Sequence, residues 1–212
     1  MINVGCDGFF GAEGCNVQQI YNLQRERSVA GFDVPHMLIA SWTYELPFGK
    51  GKKYSTGSSP LDALVGNWAV NGIYSVRSGE PFTIGVNGDI ANTGNNTYRA
   101  NIVGPAFPGT RTRQNYLNTS SFQVPALYTF GNLGRNALRL TYVPNWDISI
   151  FRDFPLHITE ASRLQFRAEF FNAFNNSVLG QPDSTVQDAN FGLVTYQRNT
   201  ERQIQFALKL YF

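Results

Sequence analysis

The sequence predicts an all-β fold, an antiparallel transmembrane β-barrel segment with long external loops. Three observations predict it. Aromatic residues make up 14% of the 212-residue chain and charged residues only 15%, against roughly 25% charged in an average soluble domain. Several stretches alternate apolar and polar side chains with a period of two, the pattern of a strand whose faces differ. Twenty Gly and ten Pro punctuate these stretches with turns. A barrel in lipid combines these features, because its outer surface has few places for charge and its rims carry aromatic girdles.

Residues 1–35 read as a loop. Cys6 and Cys15 bracket CDGFFGAEGC and are candidates for a disulfide closing a small ring in an exported loop. Two cysteines with no nearby histidine make a poor metal site. The opening MINVGCDGFF lacks a basic start followed by an apolar core, so it is no signal peptide. An exported protein with this sequence is expected to carry its export signal upstream, which makes the chain a piece of something longer. No apolar run reaches the roughly 18 to 20 residues of a membrane-spanning helix, which excludes helical spanning alone.

Residues 36–212 carry the strands. HMLIASWTYELPF places Leu38, Ala40, Trp42, Tyr44 and Leu46 on one face and Ser41, Thr43 and Glu45 on the other. The Gly-Lys turn that follows holds Lys50, Lys52 and Lys53 and reads as a solvated turn; with a net charge of +2 the chain offers no footprint for a nucleic acid. In NWAVNGIYSVRSGEPFTIGV, Trp68, Val70, Gly72, Tyr74 and Val76 oppose Asn71, Ser75 and Arg77. Pro81 cannot donate to a ladder, so SGEP is either a bulge or a turn within this stretch. Residues from about 87 to 141 are rich in Asn, Gly, Thr and Arg without sustained periodicity, as expected of a long external loop.

In VPNWDISIFRDF, Trp146, Ile148 and Ile150 oppose Asn145, Asp147 and Ser149. RLQFRAEFFNAFNN is ambiguous, since Phe166, Phe170, Phe171 and Phe174 also fit helical spacing; aromatic richness and alternating neighbours favour a strand. Its polar face would carry Arg167 and Glu169, read as a lumen-facing salt bridge to a neighbouring strand and not as an acid–base pair. The last segment is the clearest. Ile204, Phe206, Leu208, Leu210 and Phe212 alternate with Gln203, Gln205, Ala207, Lys209 and Tyr211. Nine residues at about 3.3 Å each, tilted by about 45°, cover roughly 21 Å, close to the apolar height of an outer-membrane barrel.

If Phe212 finishes at the periplasmic rim, residues 175–200 form an external loop and PLHITEAS a periplasmic turn. Residues 49–67 would then be an unusually long periplasmic connection unless SGEP is a turn that reverses the parity. The aromatics Trp42, Tyr44, Trp68, Tyr74 and Trp146 read as a membrane-interface girdle; together with Phe154 and Phe212 they could instead line a sugar-binding surface. Catalysis has no convergent set of groups to rest on. His36 and His157 are far apart and lack metal-ligand spacing, no GxSxG occurs, and no cofactor motif is present, so an enzyme is not expected.

The segments DVPHMLIASWTYELPFGKGKK, NWAVNGIYSVRSGEPFTI, SSFQVPALYTFGNLGRNALR, NWDISIFRDFPL, RLQFRAEFFNAFNN and RQIQFALKLYF, in that order, resemble the closing portion of Oar-like TonB-dependent receptors. These bacterial proteins often carry an N-terminal carboxypeptidase-regulatory-like domain. The resemblance implies an outer-membrane barrel of about 22 strands, to which this chain would contribute about five to seven. It implies a plug and a TonB box, neither recognisable here, with uptake driven through the inner-membrane TonB complex. The partners it implies are outer-membrane lipid, the rest of the barrel and plug, and the barrel-assembly machinery. The last strand, ending on Phe212, looks like the terminal signal of outer-membrane barrel proteins. A soluble β-sandwich that binds carbohydrate and a complete small barrel are the alternatives the residues leave open.

Overall fold

A computed structural model describes residues 17–19, 21–49, 51–55, 65–94, 97–156, 158 and 162–212. Cys6, Cys15, Lys50 and His157 lie outside the described residues. The strands are β1 (Met37–Glu45), β2 (Trp68–Arg77), β3 (Pro81–Phe82), β4 (Gly85–Asn87), β5 (Thr97–Arg99), β6 (Asn101–Ile102), β7 (Phe122–Gln123), β8 (Leu138–Arg139), β9 (Val143–Pro155), β10 (Arg163–Phe171) and β11 (Gln203–Tyr211). Two 3-10 turns lie at Leu23–Glu26 and Thr119–Ser121. The chain divides into two units.

One unit is a five-stranded antiparallel sheet in the order β1-β2-β9-β10-β11. Its connections alternate in kind. Those after β1 and β9 leave from one end of the sheet, and those after β2 and β10 leave from the other, because every neighbouring pair is antiparallel. RLQFRAEFF is a strand, β10, in register with neighbours on both sides. Strand propensity and pairing outweigh the helical spacing of its phenylalanines. Within the sheet, Gly72 has a direct reason to be glycine: a Cβ there would lie 2.5 Å from Cζ2 of Trp42, whose indole covers it.

The second unit comprises the segment ending at His36, Ser78–Tyr142 and Val178–Asn199. The stretch expected to be one long loop is a packed body. Its pairs β3–β8, β4–β5 and β6–β7 are two or three residues long, too short to leave an alternating trace in sequence. Its core includes Ile84, Tyr98, Tyr116, Leu117 and Val194, none more than 1% exposed. Burying five such side chains stabilises this unit by roughly 1.5 to 3 kcal/mol each relative to exposure. This unit is discontinuous in sequence, grouping the segment that ends at His36 with Ser78–Tyr142 and Val178–Asn199.

SGEP is neither the bulge nor the turn considered above. β2 ends at Arg77, and the chain enters the packed loop unit at Ser78, whose N–H donates to the His36 carbonyl at 2.9 Å. Pro81 starts β3 opposite Arg139. The parity of the sheet is therefore unchanged, and residues 46–67 remain a long connection between β1 and β2. Gly79 marks the departure: a Cβ there would sit 2.1 Å from the Leu140 carbonyl oxygen, a backbone atom that cannot step aside.

Gly79→Ala should therefore loosen the loop unit, while Gly109→Ala, where a Cβ would meet nothing within 4 Å, should not. Limited proteolysis reads the difference, with cleavage within residues 78–142 expected to rise about tenfold for the first, the effect of roughly 1.4 kcal/mol. Equal cleavage of the two variants would contradict the contact.

Candidate functional site

The chemistry of the sheet follows from its register. Across the sheet, Tyr44, Val70, Ile150, Ala168 and Phe206 are successive partners, and so are Trp42, Gly72, Ile148, Phe170 and Ile204. Between these two rows runs a polar one: Thr43, Asn71, Ser149, Glu169 and Gln205. Side chains alternate along each strand, so the first two rows share one face and the third occupies the opposite face. One face is thus apolar over all five strands, and the other is mainly polar, with Ile39, Ile73, Phe151 and Phe171 interspersed.

The apolar face is held laterally by aromatic contacts. Tyr74 and Trp146 lie with ring centroids 4.5 Å apart, and Phe174 meets Trp146 edge-on at 5.9 Å. Trp68 meets Phe166 edge-on at 6.1 Å, and Phe166 stacks on Phe206 at 6.3 Å. Such pairs contribute roughly 0.5 to 1.5 kcal/mol each beyond burial. Of the five residues read as a girdle, Tyr74 and Trp146 stand together at one end of the sheet and Trp68 lies toward the other. Trp42 and Tyr44 occupy rows between them. On β11, Ile204, Phe206, Leu208 and Leu210 share this face; Phe206 and Leu208 are 69% and 68% exposed, and Phe212 follows the strand at 94%.

The polar face is cross-linked by hydrogen bonds. The Gln205 amide donates to Glu169 at 3.0 Å, the Gln165 amide to Asp153 at 2.9 Å, and the Ser149 hydroxyl to Asn71. Gln203 pairs opposite Phe171 on the same face. Arg167 and Glu169 do form a salt bridge, with Nε to Oε1 at 3.3 Å. It runs along β10 between residues two apart, not between neighbouring strands, because Glu169 reaches β11 through Gln205 instead.

Sequence reasoning missed the residues that organise the connections. Asn172 is 2% exposed with a φ of 47°. Its amide donates to the carbonyls of Asn176 and Thr200 at 3.0 and 2.9 Å and accepts from the Asn176 N–H at 2.9 Å. That ties both ends of the β10–β11 connection together. In the loop unit, Arg99 makes a bidentate pair with Glu26 at 2.7 and 2.8 Å, both side chains buried, and its Nε donates to the Leu133 carbonyl at 3.0 Å. Asp33 pairs with Arg139, and Glu80 with Arg198. Nothing in local sequence signals pairs separated by 73 to 118 residues. His36 contributes its carbonyl to Ser78. Among the described residues no group of three or more His, Cys, Asp or Glu is placed to hold a metal.

Asp89 is the loop carboxylate with a perturbed acidity. The Tyr98 hydroxyl donates to it, as do the N–H groups of Gly94 and Thr93 at 2.8 and 2.9 Å. The Tyr98 bond, most of all, holds its carboxyl below the usual range, partly offset by desolvation. A depressed folded-state value contributes stability that is present above about pH 3.9 and lost as the pH falls further, through the folded-state value. Proteolysis of the loop unit should accelerate as the pH falls below about 4, and Asp89→Asn should flatten that dependence. An unchanged pH profile in the variant would remove Asp89 from the account.

A family model described as outer membrane beta barrel domain matches residues 1–205. No curated protein and no solved structure matches the chain. The faces of the sheet can be tested directly in a Cys6→Ser/Cys15→Ser background. Ile150→Cys and Phe206→Cys should react with a lipid-soluble maleimide and resist a charged one, whereas Lys209→Cys and Gln205→Cys should show the reverse preference. Equal labelling of positions 205 and 206 would mean that the two faces do not meet different solvents.

Proposed function

This chain belongs to the outer membrane beta barrel domain family and lies in the outer membrane, and we propose that it supplies closing strands and external loops of a TonB-dependent receptor that takes up substrate. The observation that carries the reading is the coherent division of five strands into one apolar and one polar face. An apolar outer face suits lipid, and a polar inner face with Arg167, Glu169, Gln203 and Gln205 suits a hydrated or plugged lumen. The Oar-like blocks of sequence favour the receptor over other barrels. In this reading the role is transport and wall-building, not catalysis.

Orientation follows from the connections. The two long folded segments, 78–142 and 178–199, belong to strand connections at the same end of the sheet, the end where β11 begins at Gln203. Long connections face outward in outer-membrane barrels, so Phe212 ends at the periplasmic rim. The partners are the remaining strands and plug, the TonB complex acting through the plug, and the barrel-assembly machinery reading Ile204, Phe206, Leu208, Leu210 and Phe212. A carbohydrate-binding sandwich would need a second sheet over those side chains, and family membership now speaks against it.

Two measurements separate the levels of this proposal. Deleting Phe212 should cut the amount of protein recovered in the outer membrane and leave the remainder aggregated; normal recovery would dismiss the terminal signal. The coding frame upstream of Met1 should encode a plug and a TonB box. A frame without a plug would sink the receptor reading and leave the barrel standing.

A further inference from the structure

One charged residue interrupts the apolar face of the sheet. Arg152 pairs opposite Trp68 on β2 and Phe166 on β10, in a face otherwise built from residues such as Val70, Ile150 and Leu208. Its guanidinium lies 4.4 Å from the ring centroid of Phe154 and 5.9 Å from that of Trp68. Phe154 is the next residue on this face toward the sheet end, so the long side chain reaches away from the middle of the apolar band. The cost of a cation on a lipid-facing strand falls steeply from the mid-plane to the interface, and long basic side chains snorkel toward the boundary. Only 6% of Arg152 is exposed, so its charge is shielded by the flanking rings at the end of the sheet nearest the interface.

The β1–β2 connection continues that boundary. The Leu46 N–H donates to the Trp68 carbonyl at 2.8 Å, and the Tyr54 N–H donates back to Pro47 at 2.9 Å, forming a tight rim beyond the last apolar row. Phe48 and Tyr54 hold their rings 5.8 Å apart and are both exposed. The exposed Lys53 places its ammonium 5.4 Å from the Tyr54 ring, while Lys52 bonds Glu45 at 2.8 Å. Exposed aromatics with lysine beside an apolar face are the chemistry of a membrane interface. The uncovered cation adds a specific demand for negative charge.

We propose that this rim binds the phosphate headgroups of anionic glycerophospholipids, with Lys53 at the phosphate, Lys52 beside it, and Phe48 and Tyr54 seated among the headgroups. The assignment rests on the orientation argued above, which turns this end toward the periplasm and its phospholipid leaflet. The surface is continuous with the lipid-facing sheet, and its charge is complementary to the ligand.

The test uses the protein purified from outer membranes in mild detergent, with bound lipid counted by native mass spectrometry. Phosphatidylglycerol should be retained over phosphatidylcholine. Lys52→Gln/Lys53→Gln should cut that preference by about fivefold, the effect of roughly one interfacial cation, because Lys52 is already paired. Lys52→Arg/Lys53→Arg should keep it. Equal retention of the two phospholipids, an unchanged preference in the glutamine variant, or preferential retention of lipopolysaccharide would each overturn the proposal. Should the glutamine variant not assemble, Trp68 in a protein whose other tryptophans, Trp42 and Trp146 among them, are replaced by Phe gives an independent reading. Its fluorescence should be quenched more by headgroup-spin-labelled phosphatidylglycerol than by the phosphatidylcholine analogue, and equal quenching would refute the site. A wild-type protein that does not fractionate with outer membranes overturns the barrel reading as well, which tells the two failures apart.

Discussion

Strand register is the constraint on which the sheet depends. Side chains repeat with a period of two, so a slip of one residue between any neighbouring strands would carry a whole row to the opposite face. The observed pairing keeps Trp42, Gly72, Ile148, Phe170 and Ile204 in one row and Thr43, Asn71, Ser149, Glu169 and Gln205 in another. Shifting β10 by one residue against β9 would put Glu169 among the isoleucines and Phe170 beside Ser149. Each face resists such a shift in its own way. The apolar face would lose ring contacts such as Phe166 with Phe206, and the polar face would lose bonds such as Gln205 with Glu169. Trp42 over Gly72 adds a steric lock, since only the glycine row accepts the indole.

The loop unit obeys a different logic. Its strands are too short to hold a register by themselves, and its stability comes from a common core and from buried charge pairs between distant segments. The Arg99–Glu26 pair is the clearest instance. Two charges buried this fully carry a large desolvation cost, offset only when geometry and further hydrogen bonds are good. Here the pairing is bidentate, and the Leu133 carbonyl takes a third donor. Removing either partner would strand the other charge in a dry interior. The pair thus favours one placement of residues 23–26 against β5 over the many that a polar surface segment could adopt.

These two kinds of order explain what was legible in the sequence. The five long strands could be read because nine or more residues of alternation leave little room for another structure, and even RLQFRAEFF was settled by its neighbours. The exit from β2 is not legible, because Pro81 reads as an interruption of one strand when it begins another pairing with Arg139. The loop core could not be read at all. Ile84, Tyr98, Tyr116 and Val194 come from separate stretches, and no local pattern announces that they meet. The Arg167–Glu169 bridge was half legible: both residues share the polar face, but their contact along one strand depends on Gln205 occupying the cross-strand position.

The sheet also states what it lacks. β1 and β11 each pair on one side only among the described residues, and open edges with unpaired N–H and C=O groups recruit further strands. The apolar face, with Phe206 and Leu208 more than two-thirds exposed, would associate in water. One partner cannot satisfy both demands. Lipid covers the face but offers no backbone groups to the edges, and strands complete the edges without covering the face. Five strands cannot close on themselves, since about eight are needed before side chains fill a barrel interior. An outer membrane together with more barrel strands meets both requirements at once, whereas a second sheet packed on the apolar face would leave the edges as open as before.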